Sequence, residues 1–347
     1  MLSPAAASRL LPELPENSEV LIARLRSLGD MVLETPAIAA LHAWRPDLKI
    51  AVLVEPWCAP VVEGNPDISR LIFRRDFLST ARELRRANFP IIFNQHGGPT
   101  SALLTFASGS PHRVCWKGYQ FSFLYNVLVP DAQEFFGTTQ VHTAEHRISQ
   151  LWWTGLPRGP IPRAKVFPQP DAIAAVTKIL RNRGLRPDEP YAVLQPGGRM
   201  ESMRWPVANF AEIARWLRAT HGIRSIVNLG RRDEQLAASV HSSMRADAII
   251  IDTFGARELI ALLAGARLFF GNDSGPAHIA ASLDRPCVVI FAATDPAQWH
   301  PWQVEHRVLT PESGVNLARN QPPFPVASIS IERAKQACDE IFAAPAN

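Results

Sequence analysis

The chain has 347 residues, 47% hydrophobic and 20% charged, with 36 basic against 32 acidic side chains and a net charge of +4. That length makes about two ordinary domains, and the composition excludes a disordered, fibrous or coiled-coil chain. The charge divides as 17 basic and 14 acidic residues before position 166 and 19 and 18 after it, so neither half is a polybasic arm and charge gives no basis for bulk nucleic-acid binding.

Only five of the basic residues are lysines. Arginine offers a planar fork suited to phosphate and carboxylate, although GC-rich coding explains the bias equally well. Cys58, Cys115, Cys287 and Cys338 lie far apart without a CxxC pair, which fits a reducing cytoplasm and neither a disulfide framework nor a zinc knuckle. The N-terminal stretch has one arginine and no sustained apolar core, so it does not read as a signal peptide. No run approaches 18 apolar residues, which leaves a soluble chain or one attached to a membrane by its surface.

In chain order, short apolar runs alternate with amphipathic segments. VLIARL (20–25), IAVLV (50–54), PIIFN (90–94) and HRVCW (112–116) read as strands, with a helix over 35–46 stopped by Pro46. Residues 171–184 read as a helix. After 185 the strands YAVLQ (191–195), SIVNLG (225–230), AIIID (248–252), LFFGN (268–272) and CVVIFA (287–292) alternate with helices, beginning with 207–220. Unbroken apolar strands joined through helices are the pattern of buried parallel sheets. The reading is α/β, two doubly wound halves, with proline marking the boundary within 156–190. The domains are taken as 1–165 and 166–347, the second ending in a terminal helix over 329–344.

Two strand–turn–helix junctions carry the chemistry. The first is Arg26-Ser27-Leu28-Gly29-Asp30 after the first strand, where open α/β sheets place ligands. From the segment alone, Asp30 fits either a helix N-cap or a general base. The second is Gly271-Asn272-Asp273-Ser274-Gly275-Pro276 ahead of a helix over 277–283, with Pro276 as its first residue and His278 in the first turn. Free N–H groups and a positive helix end favour phosphate there; a well-capped helix with a satisfied histidine is the plainer reading. Gly197, Gly198 and Arg199, followed by Arg204-Trp205-Pro206, fit a diphosphate loop or an ordinary turn. Glu234, after another strand, fits a ribose acceptor or a solvated first-turn acid.

Three other features have weaker functional readings. His142, Glu145 and His146 match the H-x-x-E-H spacing of zinc peptidases, but no third ligand is evident and the context is wrong. The arginines of 74–87 read first as a solvated helix face, and second as a dock for anionic lipid. Trp152 and Trp153 read as core or interdomain packing.

Taken in order, LIARLRSLGDMVLETPAIAAL…VVEGNPDI, NQHGGPTSALL (94–104), PGG with RWP, and GNDSGPAHIAASLDRPCVVIFAATDP resemble the bacterial ADP-heptose:lipopolysaccharide heptosyltransferases, glycosyltransferase family nine. The resemblance implies a GT-B fold, two Rossmann-like domains facing across a cleft, with acceptor on the first half and nucleotide-sugar on the second. It implies inverting transfer with no cofactor and no metal. Asp30 matches the family's base; Ser27, Gly29, Gln95 and His96 fall on the acceptor side. Gly197, Arg199, Arg204, Glu234, Asp273, Ser274, Gly275 and His278 fall on the donor side. The implied partners are a nucleotide-sugar, ADP-heptose first, and a lipid A/core oligosaccharide acceptor, with no nucleic acid. The implied place is the cytoplasm, with a peripheral contact at the inner membrane left open. Met203 stands where the family commonly has a lysine reaching the donor phosphates. A transferase using a different nucleotide-sugar, or a non-catalytic sugar-nucleotide-binding paralogue, are the alternatives.

Overall fold

The computed structural model describes residues 2–198, 201–230, 233–314 and 325–344. Contacts divide the chain into two units, Met1–Lys165 and Val166–Asn347. The first holds β1 (Glu19–Ala23), β2 (Lys49–Val54), β3 (Arg70–Phe73), β4 (Ile91–Asn94), β5 (His112–Trp116) and β6 (Val127–Val129). They form one sheet in the order β3-β2-β1-β4-β5-β6, all parallel. The second holds β7 (Tyr191–Gln195), β8 (Arg224–Asn228), β9 (Ala248–Ile251), β10 (Leu268–Asn272), β11 (Cys287–Ile290) and β12 (His306–Leu309). Its order, β12-β11-β10-β7-β8-β9, repeats the same topology, again all parallel.

Each sheet therefore reverses its winding once, between β1 and β4 in the first unit and between β7 and β10 in the second. At such a switch point the loops leave in opposite directions and open a crevice beyond the strands' carboxyl ends. The registers Ala23↔Asn94 and Gly271↔Gln195 bring the motif loops of each unit side by side at that place.

The central strands are buried on both faces and carry the long apolar runs: β1, β2, β4, β7 and β10 are almost wholly buried. Three strands missing from the sequence reading, β3, β6 and β12, are sheet edges. Their sequences RLIF, VLV and HRVL are short or part polar, as edges exposed on one side permit. The helices largely follow the expected spans, Thr35–Trp44, Pro170–Asn182, Val207–His221 and Ile331–Ala343 among them. The helix expected at 277–283 starts two residues earlier and runs Gly275–Ser282, so Pro276 is its second residue, not its first.

In the second unit Trp205, Phe210 and Phe270 cluster with centroids 5.3–5.7 Å apart, Phe210 edge to face with both of the others. Met203 packs against that core. All four cysteines are free and buried.

Candidate functional site

In the first unit the chain leaves β1 through Arg24 and enters a short helix, Leu28–Val32, whose N-cap is Ser27. Asp30 is thus the third helical residue and not the cap. Ser27 donates its hydroxyl to Asp30 Oδ2 at 2.9 Å. Asp30 Oδ1 receives Arg24 Nη2 at 2.5 Å and Arg147 Nη2 at 2.9 Å. Arg147 comes from the helix Thr143–Trp153, 117 residues later. Gly29 lies buried inside the helical turn and supplies no unusual backbone angle.

The two guanidinium groups are anchored from below. Both donate to the backbone carbonyl of Gln95, Arg147 at 2.7 Å, and Tyr119 adds its hydroxyl at 3.3 Å. Gln95 is fully buried, and its own amide donates to the Arg147 carbonyl at 3.1 Å. Its side chain is therefore a brace beneath the site, which corrects its placement as an acceptor contact. Burial by itself pushes the Asp30 carboxyl up, but Arg24, Arg147 and the Ser27 hydroxyl outweigh it and hold Asp30 below its ordinary range. Asp30 is a carboxylate with one oxygen gripped by the two arginines and the other, among the described residues, accepting the Ser27 hydroxyl.

His96 is half-buried with its backbone N–H on Asn94 Oδ1 at 3.0 Å. Burial, then Arg24 and Arg26, push its imidazole down to about 4, so it is neutral at physiological pH. Gly97 next to it has φ +79°, and a Cβ there would lie 2.7 Å from the Tyr119 ring.

Beneath the cluster sits Glu34, which sequence reasoning missed. It is wholly buried, 4.0 Å from Arg147 Nε, and neither carboxyl oxygen has a hydrogen-bond partner. Burial pushes it up to about 7, against the pull of Arg147 and Arg24.

In the second unit β7 ends in the loop Pro196-Gly197-Gly198 and β10 ends in Asn272. Asn272, buried, stitches the two: its amide donates to Pro196 O at 2.8 Å and its oxygen accepts the Trp205 N–H at 3.0 Å. Arg204 donates twice to the Gly198 carbonyl, at 3.0 and 2.8 Å. Its guanidinium braces the glycine loop. Arg199 lies outside the described residues.

A Cβ on Gly197 would fall 2.5 Å from the Asp233 carboxylate, which itself accepts the Gly230 N–H at 2.9 Å. Asp233 is buried, whereas Glu234 is an exposed first-turn residue. The acid that faces the glycine loop is Asp233, while Glu234 has the exposure of the solvated first-turn acid that was the plainer of its two readings.

Asp273 accepts the Thr294 hydroxyl, and burial pushes it up to about 6 against that hydrogen bond. Ser274 is the N-cap of Gly275–Ser282, yet its side chain makes no cap bond and donates instead to Asn272 O at 3.0 Å. The helix start, with its partial positive charge, is left without a side-chain cap, which suits an anion. His278, the fourth helical residue, is buried, with its ring edge-on to Trp299 at 6.1 Å.

The H-x-x-E-H residues have structural partners. His142 Nδ1 accepts the Ala144 N–H, Glu145 accepts the His142 N–H, and His146 stacks on Trp116 at 4.3 Å. They form a capping box with a buried neighbour. Trp152 and Trp153 are half-buried beside Phe135 and so lie outside the core proper.

Comparison with known proteins bears on the family and the fold. The family model described as "Glycosyltransferase family 9 (heptosyltransferase)" matches residues 77–320. Lipopolysaccharide heptosyltransferase 2 of Escherichia coli K12 is 24% identical over 314 residues, covering 84% of this chain and 88% of its own. A family 9 glycosyl transferase from Veillonella parvula superposes with a TM-score of 0.81 at 20% identity, over 94% and 97% of the two chains. The E. coli ADP-heptose lps heptosyltransferase II does so with a TM-score of 0.76 at 19% identity, over 94% and 98%. Two doubly wound parallel sheets in this order are the GT-B fold, and the chain belongs to glycosyltransferase family 9, the heptosyltransferases.

Proposed function

We propose that this glycosyltransferase moves a heptose, with inversion, from ADP-heptose to a lipopolysaccharide core acceptor. The first unit takes the acceptor and the second the donor. The observation that carries the reading is the pairing of motif and topology: the Asp30 loop and the Asp273-Ser274-Gly275 loop each sit at the switch point of their own sheet.

In an inverting transfer the acceptor hydroxyl attacks the anomeric carbon as the nucleoside diphosphate departs from the opposite face, through a transition state with oxocarbenium character. The uncapped helix start at Gly275, with the loop amides of Gly197 and Gly198, supplies positive potential for the diphosphate without a metal ion. Asp273, poised near neutrality, suits a hydrogen bond with a sugar hydroxyl. Asp30 takes the acceptor proton at Oδ2, the oxygen the arginines leave open. A carboxylate held below its ordinary range is a weak base. It fits a late proton transfer, after bond cleavage has made the attacking hydroxyl acidic.

Met203 favours a second reading of the donor. A thioether packed on the core supplies no phosphate contact, so a related nucleotide-sugar remains the alternative. A donor panel decides between them, with the anomeric configuration of the product read by NMR. Asp30→Asn is expected to lower kcat by about 10²–10⁴-fold while ADP binding stays unchanged. Near-normal turnover in that variant would overturn the base assignment, and a retained anomeric configuration would overturn the inverting course.

A further inference from the structure

The net charge of the chain has an address. Residues 70–86 hold six arginines against Asp76 and Glu83, a surplus of four that equals the charge of the whole protein. The helix Phe77–Ala87 buries Thr80 and Leu84, packs Ala81 and Ala87 against the core, and exposes Phe77, Leu78, Arg82, Arg85 and Arg86. At helical spacing Arg75, Ser79, Arg82 and Arg86 fall along one outer stripe. With Arg70 and Glu83 they line an open concavity of about 650 Å³.

Two of these arginines are partly neutralised, Arg70 by Glu19 at 2.7 Å and Arg75 by Glu83 at 2.5 Å. Arg74, Arg82, Arg85 and Arg86 have no acidic partner among the described residues. A face evolved only for solvation commonly intersperses acids at helical spacing; here one acid serves the whole stripe.

At the N-terminal end of the stripe stand large apolar side chains that the core does not use. Phe73 is 46% exposed, Phe77 43% and Leu78 61%. Trp57, after the adjacent strand β2, is 43% exposed with its indole N–H on Glu55. Phe73 closes β3, two strands from β1, so this apolar group lies at the same carboxyl edge of the sheet as the Asp30 loop. Unpartnered arginines flanking exposed aromatic and aliphatic tips are the makings of an interfacial surface: the cations meet headgroup phosphates and the apolar tips enter the acyl boundary.

We infer that this face of the first unit docks on an anionic phospholipid bilayer, with Arg74, Arg82, Arg85 and Arg86 reading the headgroup charge and Phe73, Phe77 and Leu78 inserting. The inference does not depend on the donor or the base assigned above, since it rests on charge and exposure.

The test is co-sedimentation of the full chain with phosphatidylglycerol-containing vesicles and with pure phosphatidylcholine vesicles, at low and high salt. Binding is expected only to the anionic vesicles and to weaken with salt. Each arginine near such a surface is worth about a five-fold factor, so Arg82→Glu/Arg85→Glu/Arg86→Glu should lower partitioning by at least about 100-fold. The milder Phe77→Ser/Leu78→Ser pair should remove the binding that survives high salt. Transfer to a water-soluble, delipidated acceptor should be unchanged in both variants.

Equal binding to the two vesicle types, or an unaffected arginine triple variant of native circular dichroism, would overturn the inference. Full competition by inorganic phosphate at constant ionic strength would make this a soluble-anion site. Preferential retention on RNA would make it a nucleic-acid face. Loss of transfer to the soluble acceptor would place the stripe in the acceptor site. Each of these three results also rejects membrane docking.

Discussion

Asp30 owes its state to residues far away in sequence. The S-x-G-D turn made the aspartate visible, but its arginines come from the end of β1 and from a helix 117 residues on, and no local spacing links them. Glu34 was equally hidden, since an acid at the end of an apolar helical stretch looks like any surface acid until burial is known. Its folded pKa of about 7 lies above the ordinary 4.5. The folded state therefore binds this proton more tightly than the unfolded one, and stability is greatest at low pH. It falls as pH rises through 4.5 towards 7, by on the order of 2–3 kcal/mol. Glu34→Gln, which keeps the shape without the charge, should leave the melting temperature at about pH 4 unchanged. At pH 8 it should raise it by about 4–8 °C. Parallel melting curves for variant and wild type across that range would show that Glu34 ionises in the fold as it does in the unfolded chain, and would overturn the raised value. The arginine cluster works in the opposite sense: Asp30, held low, contributes stability above its ordinary range and loses it as pH falls further.

At the level of elements, the sequence was most legible where strands are buried on both faces and least legible at the sheet edges. Loop function followed the same rule. The strand–glycine–helix junctions were evident, whereas the side chains that hold them were not. Asn272 was read only as part of a small polar cluster, yet its one amide joins the end of β10 to the β7 loop and to Trp205. Asn272→Ala leaves a buried N–H and a carbonyl unpaired, which costs on the order of 2–4 kcal/mol. The expected result is a lowered urea midpoint together with at least ten-fold weaker ADP binding by calorimetry. If stability falls and ADP affinity does not, the loop is positioned by something else. Gly197→Ala is the companion test. Its methyl would meet the Asp233 carboxylate, so ADP affinity should drop through displacement of the loop, and Asp233→Ser in the same chain should restore part of it.

For the whole molecule, the repeated topology gives the proposed division of work two like frames. Both sheets have the same strand order with one switch point each, so the chain uses one architecture twice with different loops. The proposed assignment makes a spatially resolved prediction: ADP should slow amide hydrogen exchange around 194–198, 201–206 and 272–282. It should leave 22–30 and 94–98 unchanged. Protection confined to the first unit would reverse the assignment of acceptor and donor. The even division of charge between the halves, legible from composition, concealed that the excess is local to one helix and its approach. Only the fold shows which arginines lack partners.

The buried cysteines give the protein an internal record of its own opening. Cys58 and Cys115 lie in the first unit and Cys287 and Cys338 in the second, all free. Burial pushes the first two thiols up to about 12 and the others higher, so none is a thiolate while its unit is closed. An alkylating reagent should therefore mark each unit only when that unit unfolds. Peptide mapping after timed exposure would time the two halves separately in the native chain, without an added probe or a mutation.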